Sequence, residues 1–304
     1  MVSQELKEIL EILPMREIKS LAKKHKISTT GNKVDLIRRL EPEITDVDIL
    51  DVWEQYQDAG DITIHFSIMN NKTFNDFKKN PDLYFERMGL KKFFNKEISV
   101  LESTNIPSLQ KIVKKRNDDY VLYFIKRGKI TDFFLEIEIN GASRIQSGYT
   151  KETARVILNK NNKLIQLRCR SRTFATSLLN IIKPWFPGVK FIFFTKENAK
   201  FWINEENSRL SNIRFKLLGE NISSISLTAP TRGDLKEEEQ LIEENWERGT
   251  CSGFYISADV IIKGKSRKLG LLFNIKQGKI YFRTYSSEVD IRFVISRLIN
   301  CLGL

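Results

Sequence analysis

Three arginines near the middle of the chain have the spacing and the chemistry of a phosphate-binding surface. Arg168, Arg170 and Arg172 occupy alternate positions, so on a β-strand their side chains would project from one face. Guanidinium groups on one face repel one another and are rarely buried unpaired, whereas each can donate two hydrogen bonds to a phosphate. We therefore predict that these arginines contact a polyanion. The alternative is a solvated sheet edge whose charge prevents aggregation.

A second basic segment lies nearer the C-terminus and contains no acidic residue. Its basic members are Lys263, Lys265, Arg267, Lys268, Lys276, Lys279 and Arg283. Contact with phosphate and a solvated sheet edge explain this segment equally well, because edge strands are commonly protected by charge. Both interpretations stay open for it.

Carboxylates on a predicted strand supply the best enzymatic alternative, a metal-dependent nuclease. Glu136 and Glu138 alternate and share a face with Asp132, and clustered carboxylates can hold a metal ion over a scissile phosphate. Solvated strand carboxylates are the simpler interpretation, because no lysine or histidine follows in a recognisable arrangement. The segment from Lys263 to Ser266 ends like a phosphate-binding loop, but Asp259 stands where that loop needs glycine. We predict a non-enzymatic protein with no catalytic residues.

The cysteines and histidines argue against a metal centre and a disulfide framework. Cys169, Cys251 and Cys301 are far apart and odd in number, which favours free thiols in a reducing, intracellular compartment. His25 and His65 are the only histidines, and no pair has the spacing of a structural zinc site. With only two histidines, a Ser or Cys catalytic triad has few candidates for its general base. We predict no metal and no cofactor.

The charge balance of the whole chain points to an anionic partner. The 304 residues carry a formal net charge of +12, and each phosphate that a cation neutralises releases condensed counterions. Charge alone does not distinguish nucleic acid from an anionic membrane surface. The sequence has no apolar run long enough to cross a bilayer and no secretory leader at Met1, so we expect no membrane partner.

The first forty residues predict two short amphipathic helices joined by a glycine-containing turn. Met15, Ile18 and Leu21 recur at helical spacing in the first helix, and Val34 and Leu40 belong to the apolar side of the second. A third, acidic helix between residues 41 and 61 is expected to pack its apolar side on this hairpin. The basic residues of the hairpin lie outside both apolar stripes.

This hairpin resembles the SAP domain, a small helical module that binds duplex DNA, over about residues 1–45. The matching residues are Leu13, Met15, Ile18, Lys19, Leu21, Ile27, Thr30, Gly31, Lys33, Leu36, Ile37, Arg39 and Leu40. The resemblance implies contacts with the DNA backbone and minor groove. The DNA-binding residues that we predict in this module are Arg16, Lys19, Lys23, Lys24, Lys33, Arg38 and Arg39. The alternative is an ordinary helical hairpin with a solvated basic face.

The remaining chain predicts an α+β fold with two curved, antiparallel sheet-plus-helix units. Both units read as strands followed by an amphipathic helix, which suggests a weak internal duplication. The first includes strands at Tyr120–Ile125 and Asp132–Ile139 joined by a turn through Gly128. A helix is expected after Pro107. The predicted divisions are a SAP-like module at 1–45, a helical region at 46–115, sheet units at 116–190 and 251–304, and an intervening connector with an acidic helix at 191–250.

Two segments are also similar to centromere protein N. They are Ile12–Ile18 and LRCRSRTFATSL at residues 167–178, within which Arg170-Ser171-Arg172 matches the family's DNA-facing arginine motif. The resemblance implies a helical N-terminal domain, a C-terminal sheet-and-helix domain, and recognition of nucleosomal DNA along a basic groove. Centromere protein L is a relative with a comparable sheet region.

Three hypotheses about function follow. The favoured one is a non-enzymatic protein that binds double-stranded DNA and is located at nuclear chromatin or a nucleoid. The second is a chromatin scaffold whose partners are a nucleosome or a related sheet-domain protein. The third is the metal-dependent nuclease.

Overall fold

The N-terminal part of the protein is a four-helix module with its own small core. The computed structural model describes residues 4–53, 62–96, 106–115, 118–136, 143–204, 208–217, 223–231, 233–262, 264–283 and 286–304. The module contains α1 (Gln4–Ile12), α2 (Met15–Lys24), α3 (Lys33–Leu40) and α4 (Asp46–Trp53). Ile18 and Leu21 of α2, Leu36 of α3 and Ile49 of α4 are buried together. The predicted hairpin is confirmed, except that Val34, expected on the apolar side of α3, is 64% exposed. The acidic helix packs on the hairpin over Asp46–Trp53, and residues 54–61 of its predicted range lie outside the described residues.

The next part of the chain combines a central strand, short helices and the first sheet unit. It consists of β1 (Thr63–Ile68), α5 (Asn71–Lys79), α6 (Pro81–Arg87), a 3₁₀ turn at Lys91–Phe93, β2 (Ser108–Lys114), β3 (Asp119–Glu136), β4 (Ser143–Asn159), β5 (Leu164–Arg168) and α7 (Arg172–Ile182). Asn80 caps α6 because its side chain accepts a hydrogen bond from the Leu83 N–H at 3.0 Å.

The second sheet unit occupies the rest of the chain. It consists of β6 (Lys190–Phe191), α8 (Lys196–Ile203), β7 (Ser208–Leu217), β8 (Ser224–Thr228), a 3₁₀ turn at Leu235–Glu238, α9 (Glu239–Arg248), β9 (Gly249–Ile262), β10 (Lys265–Asn274), β11 (Lys279–Phe282) and α10 (Glu288–Leu302). The predicted acidic helix corresponds to α9. The closing helix is confirmed as α10, which starts with a capping box between Ser287 and Asp290.

All described strands belong to one antiparallel sheet, so the two units are continuous. The strand order is β2-β3-β4-β5-β1-β11-β10-β9-β7-β8, with β6 paired to β1. Strand β1 joins the units because β5 flanks it on one side and β11 on the other. The α+β class is confirmed, and the order hairpin, strand, helix occurs twice, as β3-β4-β5-α7 and β9-β10-β11-α10.

The two crossing helices cover opposite faces of this sheet. Successive side chains of a strand point to opposite faces. Leu164 of β5 belongs to the core beneath α10, whereas its neighbour Ile165 belongs to the core beneath α7. The face of the second unit that α10 leaves open carries Lys279 and Tyr281, which alternate with the buried Ile280 and Phe282.

Several predicted elements between residues 46 and 250 are wrong. The region 46–115 is not simply helical, because it contains β1 and β2, and the helix expected after Pro107 is β2. Gly128 lies inside the long strand β3, where the pairing with β4 shifts between Arg127 and Ile130, and not in a hairpin turn. The connector at 191–250 contributes β7 and β8 to the sheet.

Candidate nucleic-acid interface

A basic cleft separates the N-terminal module from the second sheet unit. It has a volume of about 690 Å³ and lies between α2 and the first residues of β10. Of the described side chains, five basic ones and one acidic one line it: Arg16, Lys19, Lys23, Arg267 and Lys268, with Glu17. Of the ten predicted DNA-binding residues, the cleft brings together Arg16, Lys19 and Lys23.

The exposed lysines of the cleft lie on two elements, the helix α2 and the strand β10. Lys19 and Lys23 are four positions apart on α2, on the side away from the buried Ile18, and are therefore neighbours on the helix surface. Lys268 is exposed on β10, where it lies opposite Asp259 of β9 in the ladder. Within the described ranges none of these three lysines forms an ion pair, so their charge is available to a ligand.

Ion pairs with a buried carboxylate fix the position of α2 relative to the sheet. Arg16 donates to Asp290 at the start of α10 at 3.0 Å, and the Arg267 guanidinium lies 3.7 Å from the same carboxylate. Arg267 also donates to Glu17 at 3.3 Å. Since breaking a buried pair leaves an uncompensated charge, these contacts favour one arrangement of the cleft walls. Arg16 therefore contributes to the docking of the module, in addition to lining the cleft.

Two further predicted DNA-binding residues, both lysines, stabilise the module itself. Lys24 donates to Asp48, and hydrogen bonds from Lys24 and then Thr45 hold the pKa of that carboxyl well below its usual range. Lys33 donates to the carbonyl of Glu11. These contacts tie the helical hairpin to α4 and to α1, which reduces the availability of both lysines to a ligand.

The other two N-terminal arginines differ in their surroundings. Arg39 donates to the backbone carbonyls of Asp35, at 3.1 Å, and Thr30, so it fastens the turn between α2 and α3. Arg38 is exposed on α3 and does not belong to the lining of the cleft.

The predicted arginine ladder at residues 168–172 is wrong. Strand β5 ends at Arg168, and Ser171 caps α7 by accepting a hydrogen bond from the Phe174 N–H at 3.1 Å. Arg170 and Arg172 therefore follow the strand and do not extend it. Arg170 is exposed beside the start of α7, so it keeps a solvent-facing charge, but it does not line the cleft.

Two of these arginines have intramolecular partners. Arg168 is buried, and its guanidinium donates to both carboxylate oxygens of Glu288 at 2.6 and 2.9 Å and to Gln166 at 2.7 Å. Arg172 donates to the carbonyl of Gln277 at 2.7 Å, and its guanidinium lies 3.4 Å from the Phe191 ring centroid. Arg168 is thus a structural residue whose charge a carboxylate neutralises, and it is not available to a polyanion.

Arg267 and Lys268 belong to the second basic segment of the sequence but are not among the predicted DNA-binding residues. The signal was the basic segment without acidic residues between Lys263 and Arg283. Lys263 lies outside the described residues. The sequence did not reveal that α2 lies opposite this segment, on the other wall of the cleft.

The candidate nuclease carboxylates receive no support from the described residues. Glu138 lies outside them, and the side chains of Asp132 and Glu136 on β3 are likewise not described. Within the described ranges, no group of three or more His, Cys, Asp or Glu side chains could hold a metal ion. All three cysteines are free thiols, and burial raises the pKa of Cys169 and of Cys251 to about 12, which disfavours the nucleophilic thiolate.

A buried histidine predicts a measurable pH dependence of stability. Burial, and then the charges of Lys279 and Arg172, lower the pKa of His65 to about 4. Between about pH 6.5 and pH 4 the unfolded chain binds a proton that the folded protein does not, so stability falls as the pH drops through this window. We expect His65→Leu to remove about 3 kcal/mol of this loss, measured by urea denaturation at the two ends of the window.

The matched control for this prediction is Ser67→Ala. Ser67 is also fully buried on β1, and its hydroxyl has no hydrogen-bond partner in the described part of the chain, but it does not titrate in this range. The control is expected to keep the pH dependence of the wild type. An identical pH dependence in the wild type and in His65→Leu would contradict the prediction.

Comparison with models of known protein families finds no match, and comparison with curated proteins finds no relative. No helix in the described part of the chain is long and apolar enough to cross a membrane.

Proposed function

We propose that the protein binds the phosphate backbone of double-stranded DNA in the cleft between α2 and β10, without catalysing a reaction. The observation that supports this proposal most is the convergence of Lys19, Lys23 and Lys268, all exposed, on one cleft. Ammonium groups on opposite walls of a groove can contact phosphates on both of its sides, and every contact releases counterions.

The proposed ligand is duplex DNA, as the SAP resemblance implies. The second contact surface differs from the arginine ladder that was predicted from the sequence. The sheet contribution comes from Lys268 of β10, because Arg168 is buried in an ion pair with Glu288. A cellular location at chromatin or a nucleoid follows from the proposed ligand and is part of the same proposal.

The test is a fluorescence-anisotropy titration of the full chain with a labelled duplex of about 20 base pairs, in about 50 to 200 mM salt. Three lysine–phosphate contacts predict that log K falls with log salt with a slope of about −2.7. A single-stranded probe of the same length serves as the control and is expected to bind more weakly. Absence of duplex binding at the lowest salt, or a slope near zero, would contradict the proposal.

Incubation with supercoiled plasmid and Mg²⁺ or Mn²⁺ separates this proposal from the nuclease hypothesis. The proposed binder is expected to retard the plasmid in a gel and leave it intact. Nicked or linear products from the wild type would favour the nuclease. Light scattering of the full chain with and without nucleosomes addresses the scaffold hypothesis.

A further inference from the structure

The open face of the second sheet unit carries a pocket that is distinct from the cleft. Neighbouring strands place Arg214 of β7, Gly253 of β9, Asn274 of β10 and Lys279 of β11 side by side in one row. Because adjacent strands lie about 4.8 Å apart, this row spans on the order of 14 Å. Gly253 has no side chain, so the row has a gap between Arg214 and Asn274.

This gap opens into a pocket of about 530 Å³, the size of a small-molecule site. Among the described residues, three basic side chains, Arg214, Lys276 and Lys279, line it, and no acidic side chain does. Leu272 and Tyr281 form an adjacent wall, since they are cross-strand neighbours on the same face. The pocket therefore combines a cationic row with an apolar and aromatic side.

No acidic side chain in the described part of the chain compensates the charges of this pocket. Arg214, Lys276 and Lys279 form no ion pair with any residue that the structure describes. Burial, and then the charge of Arg172, lower the pKa of Lys279. A bound anion would offset this accumulation of positive charge.

Unused hydrogen-bonding groups accompany the uncompensated charge. His65 lies fully buried behind the pocket, opposite Lys279 in the ladder; it does not line the pocket, and both of its ring nitrogens lack a hydrogen-bond partner in the described part of the chain. The Asn274 side-chain oxygen accepts the Gln277 N–H at 3.0 Å, which leaves its amide N–H groups as donors. The Asn274 side chain is only half-buried, so these donors can be reached by a ligand that enters the pocket.

We propose that this pocket binds the phosphoryl group of a nucleotide-sized ligand. Arg214 and Lys279 would contact the phosphoryl oxygens above Gly253, with Asn274 donating from between them. The organic part of the ligand would pack against Leu272 and Tyr281. A free nucleotide and the backbone of single-stranded nucleic acid present the same chemistry, and the experiment distinguishes them.

This site is independent of the proposed duplex cleft. No residue that the structure describes lines both cavities, and the cleft is bounded by α2, which contributes nothing to the pocket. Failure of one proposal therefore leaves the other unaffected.

The test is isothermal titration of the full chain with inorganic phosphate, with adenosine 5′-monophosphate and with a short single-stranded oligothymidylate. The double variant Arg214→Gln/Lys279→Gln is expected to weaken binding of the probes by at least about tenfold. A matched control, Lys72→Gln/Lys79→Gln, removes two exposed charges from α5 and is expected to bind as the wild type does. Duplex affinity is expected to be unchanged in both variants.

A second variant distinguishes loss of ligand binding from loss of folding. Leu272 is 38% exposed, so Leu272→Glu should be tolerated while placing a carboxylate in the pocket that repels phosphate. Binding of the nucleotide assigns the site to free nucleotides, and binding of the oligothymidylate alone assigns it to single-stranded nucleic acid. If no probe binds the wild type, or if both pocket variants bind as the wild type does, the proposal is overturned.

Discussion

Replacement of Arg168 by alanine is expected to lower the free energy of unfolding by about 3–5 kcal/mol. The Arg168 side chain has no exposed surface and makes a two-point contact with Glu288, which lies on α10 and is itself only 17% exposed. Removal of the guanidinium leaves a mostly buried carboxylate without its principal partner. Urea denaturation followed by circular dichroism measures the change.

Arg170→Ala is the matched control, because it removes the same side chain two positions away at an exposed site. Its expected effect is within about 0.5 kcal/mol of the wild type. A double change, Arg168→Met with Glu288→Leu, replaces both charges by apolar groups and is expected to recover much of the loss. Equal stability of Arg168→Ala and Arg170→Ala would contradict the structural assignment of Arg168.

Replacement of Lys19, Lys23 and Lys268 by alanine is expected to abolish most of the salt dependence of duplex binding. Loss of three phosphate contacts reduces the affinity by about two to three orders of magnitude at about 0.1 M salt. The three residues are exposed, so the stability of the fold should change little. Anisotropy titrations at several salt concentrations give both the affinity and the slope.

The control for this prediction is a triple variant with the same change of net charge. Lys72, Lys79 and Lys183 are exposed on α5 and at the end of α7 and do not line the cleft. Their replacement by alanine is expected to preserve most of the slope. If the control lowers affinity as much as the cleft variant does, binding depends on net charge and not on the cleft.

A regular apolar period identified some elements of the fold but not all of them. The helix α7 follows from Phe174, Leu178 and Ile182 at helical spacing, all of which are buried. Strand β1 was missed although its sequence, TIHFSI, alternates between polar and apolar residues; its polar members His65 and Ser67 are buried as well, which alternation alone does not predict.

Strand β2 was mistaken for a helix for a specific geometric reason. Leu109 and Ile112 are three positions apart, which favours one face of a helix. The ladder with β3 shifts its register between Leu109 and Lys111, so that Leu109 pairs with Phe124 and Ile112 with Leu122. This bulge puts both residues on one face of a strand and imitates the helical period.

The candidate site was half predictable. The charges of Lys19 and Lys23 and their exposure follow from the helical pattern of α2. The opposite wall depends on a contact between Glu17 and Arg267, which are 250 positions apart. A single sequence carries no local signal for such a contact. The arginine ladder failed because Ser171 starts a helix three positions after Arg168, and a capping hydroxyl outweighed the alternating pattern.

The most direct test of duplex binding in the cleft is lysine footprinting of the full chain, with and without a DNA duplex. Lysines are acetylated briefly and quantified by mass spectrometry. We expect Lys19, Lys23 and Lys268 to lose most of their reactivity when DNA is present, while Lys72 and Lys79 stay unchanged. Protection of Lys72 and Lys79 with full reactivity at the three cleft lysines would contradict the account.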